Sequence, residues 1–124
     1  NYGHTFGHAI ESITNYEVSH GQAVTLGMDI ANFVSYKLGL IHEDLYQALR
    51  KSIEKNIPAT TLKESEIDQY MSFLSKDKKN VGNSVTCILL RGVEDPDIIK
   101  IKNDDNFKEI IREYFIKDEY SEKQ

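Results

Sequence analysis

Glycine and histidine each recur at a spacing of four residues near the start of the chain, as Gly3 and Gly7 and as His4 and His8. In an α-helix this spacing places side chains one turn apart on one face, and Glu11 lies close to the same stripe. The two glycines lower helix propensity but leave a surface without side chains, which a ligand or another backbone can approach closely. The pattern therefore predicts a helix that carries a site.

A third histidine, His20, follows a short predicted loop, with Ser19 as the expected N-cap of a second helix. At a helix N-terminus the dipole favours the neutral imidazole, which is the form that ligates metals. Two imidazoles one turn apart, joined by a third, can hold a divalent transition metal or pair a metal ligand with a proton carrier. Spacing alone leaves the alternative open that His4 and His8 are a chance pair on a solvated helix.

Three motifs occur in an order that resembles the C-terminal part of the 3-dehydroquinate synthases: residues 1–11, residues 20–28 and Asp77-Lys78-Lys79. The block G-H-T-x-G-H-A-x-E is long and specific, whereas D-K-K would be weak alone. The resemblance runs from residue 1 to about Leu90. It implies that residues 1–124 form the helical metal- and substrate-binding domain of a two-domain enzyme whose N-terminal, NAD-binding domain is absent from this chain.

Members of this family are phosphate-eliminating lyases of the shikimate pathway, which leads to the aromatic amino acids. They convert 3-deoxy-arabino-heptulosonate 7-phosphate to 3-dehydroquinate and phosphate. The resemblance implies that the intact enzyme uses NAD and a divalent metal, Zn²⁺ or Co²⁺, binds an anionic sugar phosphate and forms a homodimer. The chain alone is expected to be inactive, because it lacks the dinucleotide-binding part and one presumed metal ligand.

The resemblance also assigns roles to individual residues. His4 and His20 match two of the family's metal ligands, and the third, a glutamate, would lie upstream of residue 1. His8 matches a catalytic histidine at the substrate, implied in proton transfer near the departing phosphate. Asn1 matches an asparagine that contacts the substrate.

Lys78 and Lys79 follow a predicted helix, where lysines ordinarily complement the negative helix end in solvent. The resemblance implies instead that one of them binds the anionic substrate, and which one stays open. Gln22 departs from the family, whose members commonly have glutamate there. This departure leaves open the alternative that the chain is part of a related NAD- and metal-dependent sugar-phosphate cyclase, such as a 2-deoxy-scyllo-inosose synthase. Outside the enzymes, the alternative is a non-catalytic helical metal-binding module.

Composition excludes several other classes of function. The 124 residues have a net charge of −5 with scattered basic residues, which argues against a nucleic-acid surface. No apolar run reaches the length of a membrane span, and the single cysteine, Cys87, indicates a reducing cytoplasm. The chain has no G-x-G-x-x-G motif or P-loop and begins at Asn1 inside a dense motif. We therefore expect a piece of a longer protein, in which other residues bind NAD.

Apolar periodicity predicts a mainly α domain of about five helices with one small β-hairpin. Gly27 and Ala31 are expected to let a neighbouring helix pack closely, and His42 is expected to be solvated. The predicted elements are helices over about 5–14, 22–38 and 42–55, a helix with Ile67, Tyr70, Met71 and Leu74 on its inner face, strands over 85–90 and 98–101, and a final helix with Phe107, Ile110, Ile111, Tyr114 and Phe115 inside. The third helix is predicted to have Leu45, Ala48, Leu49 and Ile53 on its inner face.

Overall fold

The structure, a computed structural model, describes residues 2–58, 60–76, 83–92 and 95–117. This part of the chain is mainly α with one antiparallel β-hairpin, which confirms the predicted fold class. The α-helices are α1 (His4–Ile13), α2 (His20–Lys37), α3 (Glu43–Ile53), α4 (Glu64–Ser75) and α5 (Asp105–Arg112), and the strands are β1 (Ser84–Leu90) and β2 (Pro96–Lys102). A 3₁₀ turn (Glu54–Asn56) follows α3, and a π-helical turn (Glu113–Lys117) follows α5.

Helix α2 is the central helix of the core and contacts α1, α3, α5 and β1. The helix ends before Gly39, which has a φ of 79°, and the Leu40 N–H donates to the Ser35 carbonyl over 2.9 Å. This is a Schellman arrangement, which satisfies carbonyls that the helix end would leave unpaired. Leu38 is exposed because it is the C-cap residue, where the chain turns away from the core.

Two polar side chains on α2, Asp29 and Asn32, are buried although apolar periodicity did not predict it. The Tyr114 hydroxyl donates to Asp29 and the Tyr2 hydroxyl donates to Asn32. Arg50 Nη1 lies 3.6 Å from the Asp29 carboxylate. Burial, together with the neighbouring Asp29 charge, raises the pKa of Tyr114 well above its usual range, so the hydroxyl stays a donor.

The predicted inner face of α3 is wrong at Ala48, which is exposed. The buried residue of this helix is Tyr46. Its ring stacks on that of Tyr36, with centroids 5.7 Å apart and an angle of 7° between the planes. An aromatic ring buries far more apolar surface than a methyl group, so the helix turns Tyr46 inward at the expense of Ala48.

The predicted inner faces of α4 and α5 are confirmed. Tyr70 is fully buried and its hydroxyl donates to the Phe6 carbonyl over 3.0 Å, which links α4 to α1. Asp104 caps α5 by accepting the Phe107 N–H over 3.0 Å. The buried side chains are Ile67, Tyr70, Met71 and Leu74 on α4, and Phe107, Ile110, Ile111, Tyr114 and Phe115 on α5 and the turn after it.

The hairpin packs on the helices through alternate side chains of β1 and through two hydrogen bonds. The Leu90 N–H donates to Ser35 Oγ over 3.1 Å, and Thr5 Oγ1 donates to the Thr86 carbonyl over 3.2 Å. Cys87 is buried on β1, and burial raises the pKa of its thiol to about 12. Among the residues that the structure describes, no helix is both long and apolar enough to cross a membrane.

Candidate active site

Helices α1 and α2 meet through their glycines, with almost no side chain between the two backbones. A Cβ atom on Gly27 would lie 2.1 Å from the Gly3 carbonyl oxygen and 2.6 Å from the Gly7 nitrogen. A Cβ atom on Gly7 would lie 2.9 Å from the Ala23 carbonyl oxygen. Of the two uses that the sequence left open for these glycines, the structure shows the close approach of another backbone. The predicted packing role of Gly27 is confirmed.

This close crossing brings the first three histidines of the chain together. His4 begins α1, His8 lies one turn later and His20 begins α2. The ring centroids are 5.5 Å apart for His4 and His8, 5.7 Å for His4 and His20, and 6.4 Å for His8 and His20. The three imidazoles therefore form one cluster, which we call the histidine cluster.

The three rings differ in their surroundings. His4 is half-buried, and its Nδ1 atom has no hydrogen-bond partner among the described residues. His8 and His20 are exposed to solvent. A buried polar atom without a partner costs free energy unless a ligand, an ion or water completes it. The position of His4 therefore fits a metal ligand, whereas the His8 ring is open to solvent.

Glu11 joins the histidine cluster from the buried side of α1. Its Oε2 atom lies 3.2 Å from His20 Nδ1, and its side chain is only 11% exposed. The sequence placed Glu11 near the histidine stripe, but only the crossing of the two helices brings it to His20. No sequence pattern pointed to this contact.

The first turn of α2 explains how the chain tolerates Gln22. The Ser19 N–H donates to Gln22 Oε1 over 3.2 Å, and the Gln22 N–H donates to Ser19 Oγ over 3.2 Å. This is a capping box, in which glutamate and glutamine serve equally as acceptors. Ser19 is thus the predicted N-cap, and Gln22 changes the charge near His20 while keeping the helix start.

The other sequence-predicted residues lie away from the cluster or outside the described part of the chain. His42 is exposed just before α3, as predicted. Asn1, Lys78 and Lys79 lie outside the described residues, so their predicted roles stay predictions. In the described part of the chain, no group of three or more His, Cys, Asp or Glu side chains is arranged to hold a metal ion.

A cavity of about 620 Å³ lies near the other end of α2, lined partly by Phe33, Lys37 and Arg50. Phe33 is separated from His20 by roughly 20 Å along the helix axis. Basic and acidic side chains both line this cavity, which gives it no single charge to select a ligand. Because of the distance along α2, this cavity is separate from the histidine cluster.

Comparison with known proteins supports the resemblance that the sequence motifs carry. Residues 1–80 match the family described as 3-dehydroquinate synthase C-terminal. The chain is 37% identical over 107 residues to the 3-dehydroquinate synthase of Oceanobacillus iheyensis, covering 83% of this chain and 29% of that protein. It is 32% identical over 115 residues to the 3-dehydroquinate synthase of Sulfurovum sp., covering 92% of this chain and 33% of that protein.

A solved structure of 2-deoxy-scyllo-inosose synthase, complexed with carbaglucose-6-phosphate, NAD⁺ and Co²⁺, shares the fold. The TM-score is 0.75 at 29% identity, covering 90% of this chain and 34% of that one. This chain therefore spans about a third of the length of the proteins it matches. The glycine-rich crossing, the histidine cluster and the match over residues 1–80 lead to one conclusion: the chain belongs to the 3-dehydroquinate synthase family, whose C-terminal portion it matches.

Proposed function

We propose that this chain is the metal- and substrate-binding part of a 3-dehydroquinate synthase, acting with an NAD-binding domain that lies outside its 124 residues. The complete enzyme would convert 3-deoxy-arabino-heptulosonate 7-phosphate to 3-dehydroquinate and phosphate in the cytoplasm, as a homodimer. Family membership favours this enzyme over a non-catalytic helical module. The two relatives described above are 3-dehydroquinate synthases, which favours it over a 2-deoxy-scyllo-inosose synthase.

The observation that carries the proposal is the histidine cluster, with the unpartnered Nδ1 atom of the half-buried His4. Imidazole is a suitable ligand for Zn²⁺ and Co²⁺. His4 and His20, with ring centroids 5.7 Å apart, are the two residues of this chain that would hold the metal. When bound, the metal supplies Lewis-acid polarisation of a substrate oxygen, and NAD supplies reversible uptake of hydride.

Other residues of the chain would transfer a proton and contact the substrate. His8 is exposed and lies one helical turn from His4, so it can meet the substrate without ligating the metal. An imidazole there can carry a proton near neutral pH, close to the departing phosphate. Asn1 and one of the two lysines, Lys78 or Lys79, would contact the substrate, the lysine by pairing with its negative charge.

We expect the 124-residue chain alone to bind no NAD and to release no phosphate from the substrate. Joining it to the N-terminal remainder of the Oceanobacillus iheyensis relative should restore both activities, because that remainder supplies the part of the protein outside the match. Calorimetry with NAD and a phosphate-release assay measure the two results. Phosphate release by the isolated chain would contradict the proposed division between the domains.

Metal binding tests the assignment of His4 and His20. We expect the chain to bind Zn²⁺ weakly, since two protein ligands leave the other positions to water. Replacing either histidine by alanine should abolish measurable binding in a calorimetric titration. His42→Ala is the matched control, because His42 is exposed and lies outside the histidine cluster. Equal zinc affinity in His4→Ala and His42→Ala would refute the assignment.

A further inference from the structure

Glu11 is a carboxylate in a place where an ionised group is costly. Its side chain is 11% exposed, whereas the His20 side chain that it contacts is 62% exposed. Burying a carboxylate is unfavourable unless it accepts hydrogen bonds or pairs with a positive charge. Glu11 Oε2 lies 3.2 Å from His20 Nδ1, which can supply such a hydrogen bond.

This contact determines which nitrogen of His20 carries the proton. A carboxylate only accepts hydrogen bonds, so His20 Nδ1 must be the donor. In a neutral imidazole the other nitrogen, Nε2, then has a free lone pair. The nitrogen that can ligate a metal is thus the one that does not face Glu11.

Two features set the position of His20, one acting on its backbone and one on its ring. The capping box between Ser19 and Gln22 fixes the start of α2, and Glu11 reaches the ring from α1. The glycine-rich crossing keeps α1 and α2 at the short separation that this contact requires. Carboxylates that bond the second nitrogen of a ligating histidine commonly fix its tautomer and raise its basicity.

We infer that Glu11 is a positioning residue, which holds His20 in the Nδ1–H tautomer so that Nε2 can bind a divalent metal. The metal half of this inference rests on the proposed function. The tautomer half depends only on the contact between Glu11 and His20, so the two halves can be tested separately.

The tautomer is tested in the metal-free 124-residue chain by long-range ¹H–¹⁵N correlation NMR at about pH 8, above the usual pKa of histidine. We expect His20 to show the Nδ1–H pattern in the wild type. Glu11→Ala should redistribute the ring between both tautomers, because the acceptor is gone. Glu17→Ala is the matched control, since Glu17 is an exposed glutamate in the loop between α1 and α2. An Nε2–H pattern in the wild type, or no change in Glu11→Ala, would overturn the inference.

The effect on the metal is tested with Glu11→Gln, which keeps the shape of the side chain but removes its charge, and whose amide can either accept from or donate to His20 Nδ1, so that it no longer selects one tautomer. We expect the dissociation constant for Zn²⁺ to rise by about 10- to 100-fold. Glu17→Gln should change it by no more than about twofold. An unchanged zinc affinity in Glu11→Gln would overturn the positioning role, and Glu11→Gln can decide this even if Glu11→Ala does not fold.

Failure of the proposed metal site and failure of the proposed role of Glu11 would give different experimental results. If the wild-type chain bound no Zn²⁺, the metal assignment of the proposed function would fail, and with it the metal half of the inference. The NMR result would still decide whether Glu11 orients His20. If the chain bound Zn²⁺ through His4 and His20 with equal affinity in the wild type and in Glu11→Gln, only the role of Glu11 would be overturned.

Discussion

Replacing His8 by asparagine should lower turnover of the completed enzyme by about 10²- to 10⁴-fold, which is the usual contribution of a positioned general acid or base. The completed enzyme is this chain joined to the N-terminal remainder of a relative, as above. Its zinc content should stay nearly unchanged, because His8 is exposed and His4 and His20 are retained. The rate of phosphate release and the bound zinc per protein are the two measurements.

Substitutions of two other histidines serve as comparisons for this result. His4→Ala should lose both zinc and turnover, and His42→Asn should lose neither, since His42 is exposed and remote from the cluster. If His8 only packs beside His4, His8→Asn would lower the melting temperature and leave turnover per folded molecule untouched. That outcome would remove His8 from the catalytic residues.

Replacing Gly27 by alanine should destabilise the chain by at least about 3 kcal/mol, at the upper end of the cost of overpacking. The added Cβ would lie 2.1 Å from the Gly3 carbonyl oxygen and 2.6 Å from the Gly7 nitrogen. These are backbone atoms, which cannot move aside as a flexible side chain can, so α1 and α2 must separate. We expect the melting temperature to fall by roughly 10 °C or more.

Gly21→Ala is the matched control, because a Cβ on Gly21 would meet nothing within 4 Å. It should change stability by less than about 1 kcal/mol and can raise it by restricting the unfolded chain. In any Gly27→Ala protein that still folds, zinc affinity should also fall, since the separation of α1 and α2 moves His4 away from His20. Thermal melting followed by zinc titration tests both points. A wild-type melting temperature and zinc affinity in Gly27→Ala would show that the crossing can accommodate the added methyl group.

Several local features of the helices could be predicted from the sequence. Helix periodicity predicted the inner faces of α4 and α5, and a local signal predicted Ser19 as an N-cap. These features depend on residues a few positions apart along one helix, so the sequence carries them directly. The stripe formed by His4 and His8 is of the same kind.

Only the tertiary structure decided the features that join distant parts of the chain. The buried Asp29 accepts a hydrogen bond from Tyr114, which is 85 positions away, and no periodic pattern predicts that pairing. The inward side of α3 depends on the aromatic partner that Tyr46 finds on α2.

The same division applies to the candidate site. The sequence determined which residue types are present, a helical pair of histidines with a third at the next helix start, and the resemblance they carry. Their convergence, and the contact between Glu11 and His20, exist because Gly27 lets two backbones touch. Glycine in a sequence permits either a ligand or another backbone to approach. Which of the two occurs is decided by the packing energy of whole helices, and here it is the backbone of α1 that fills the space.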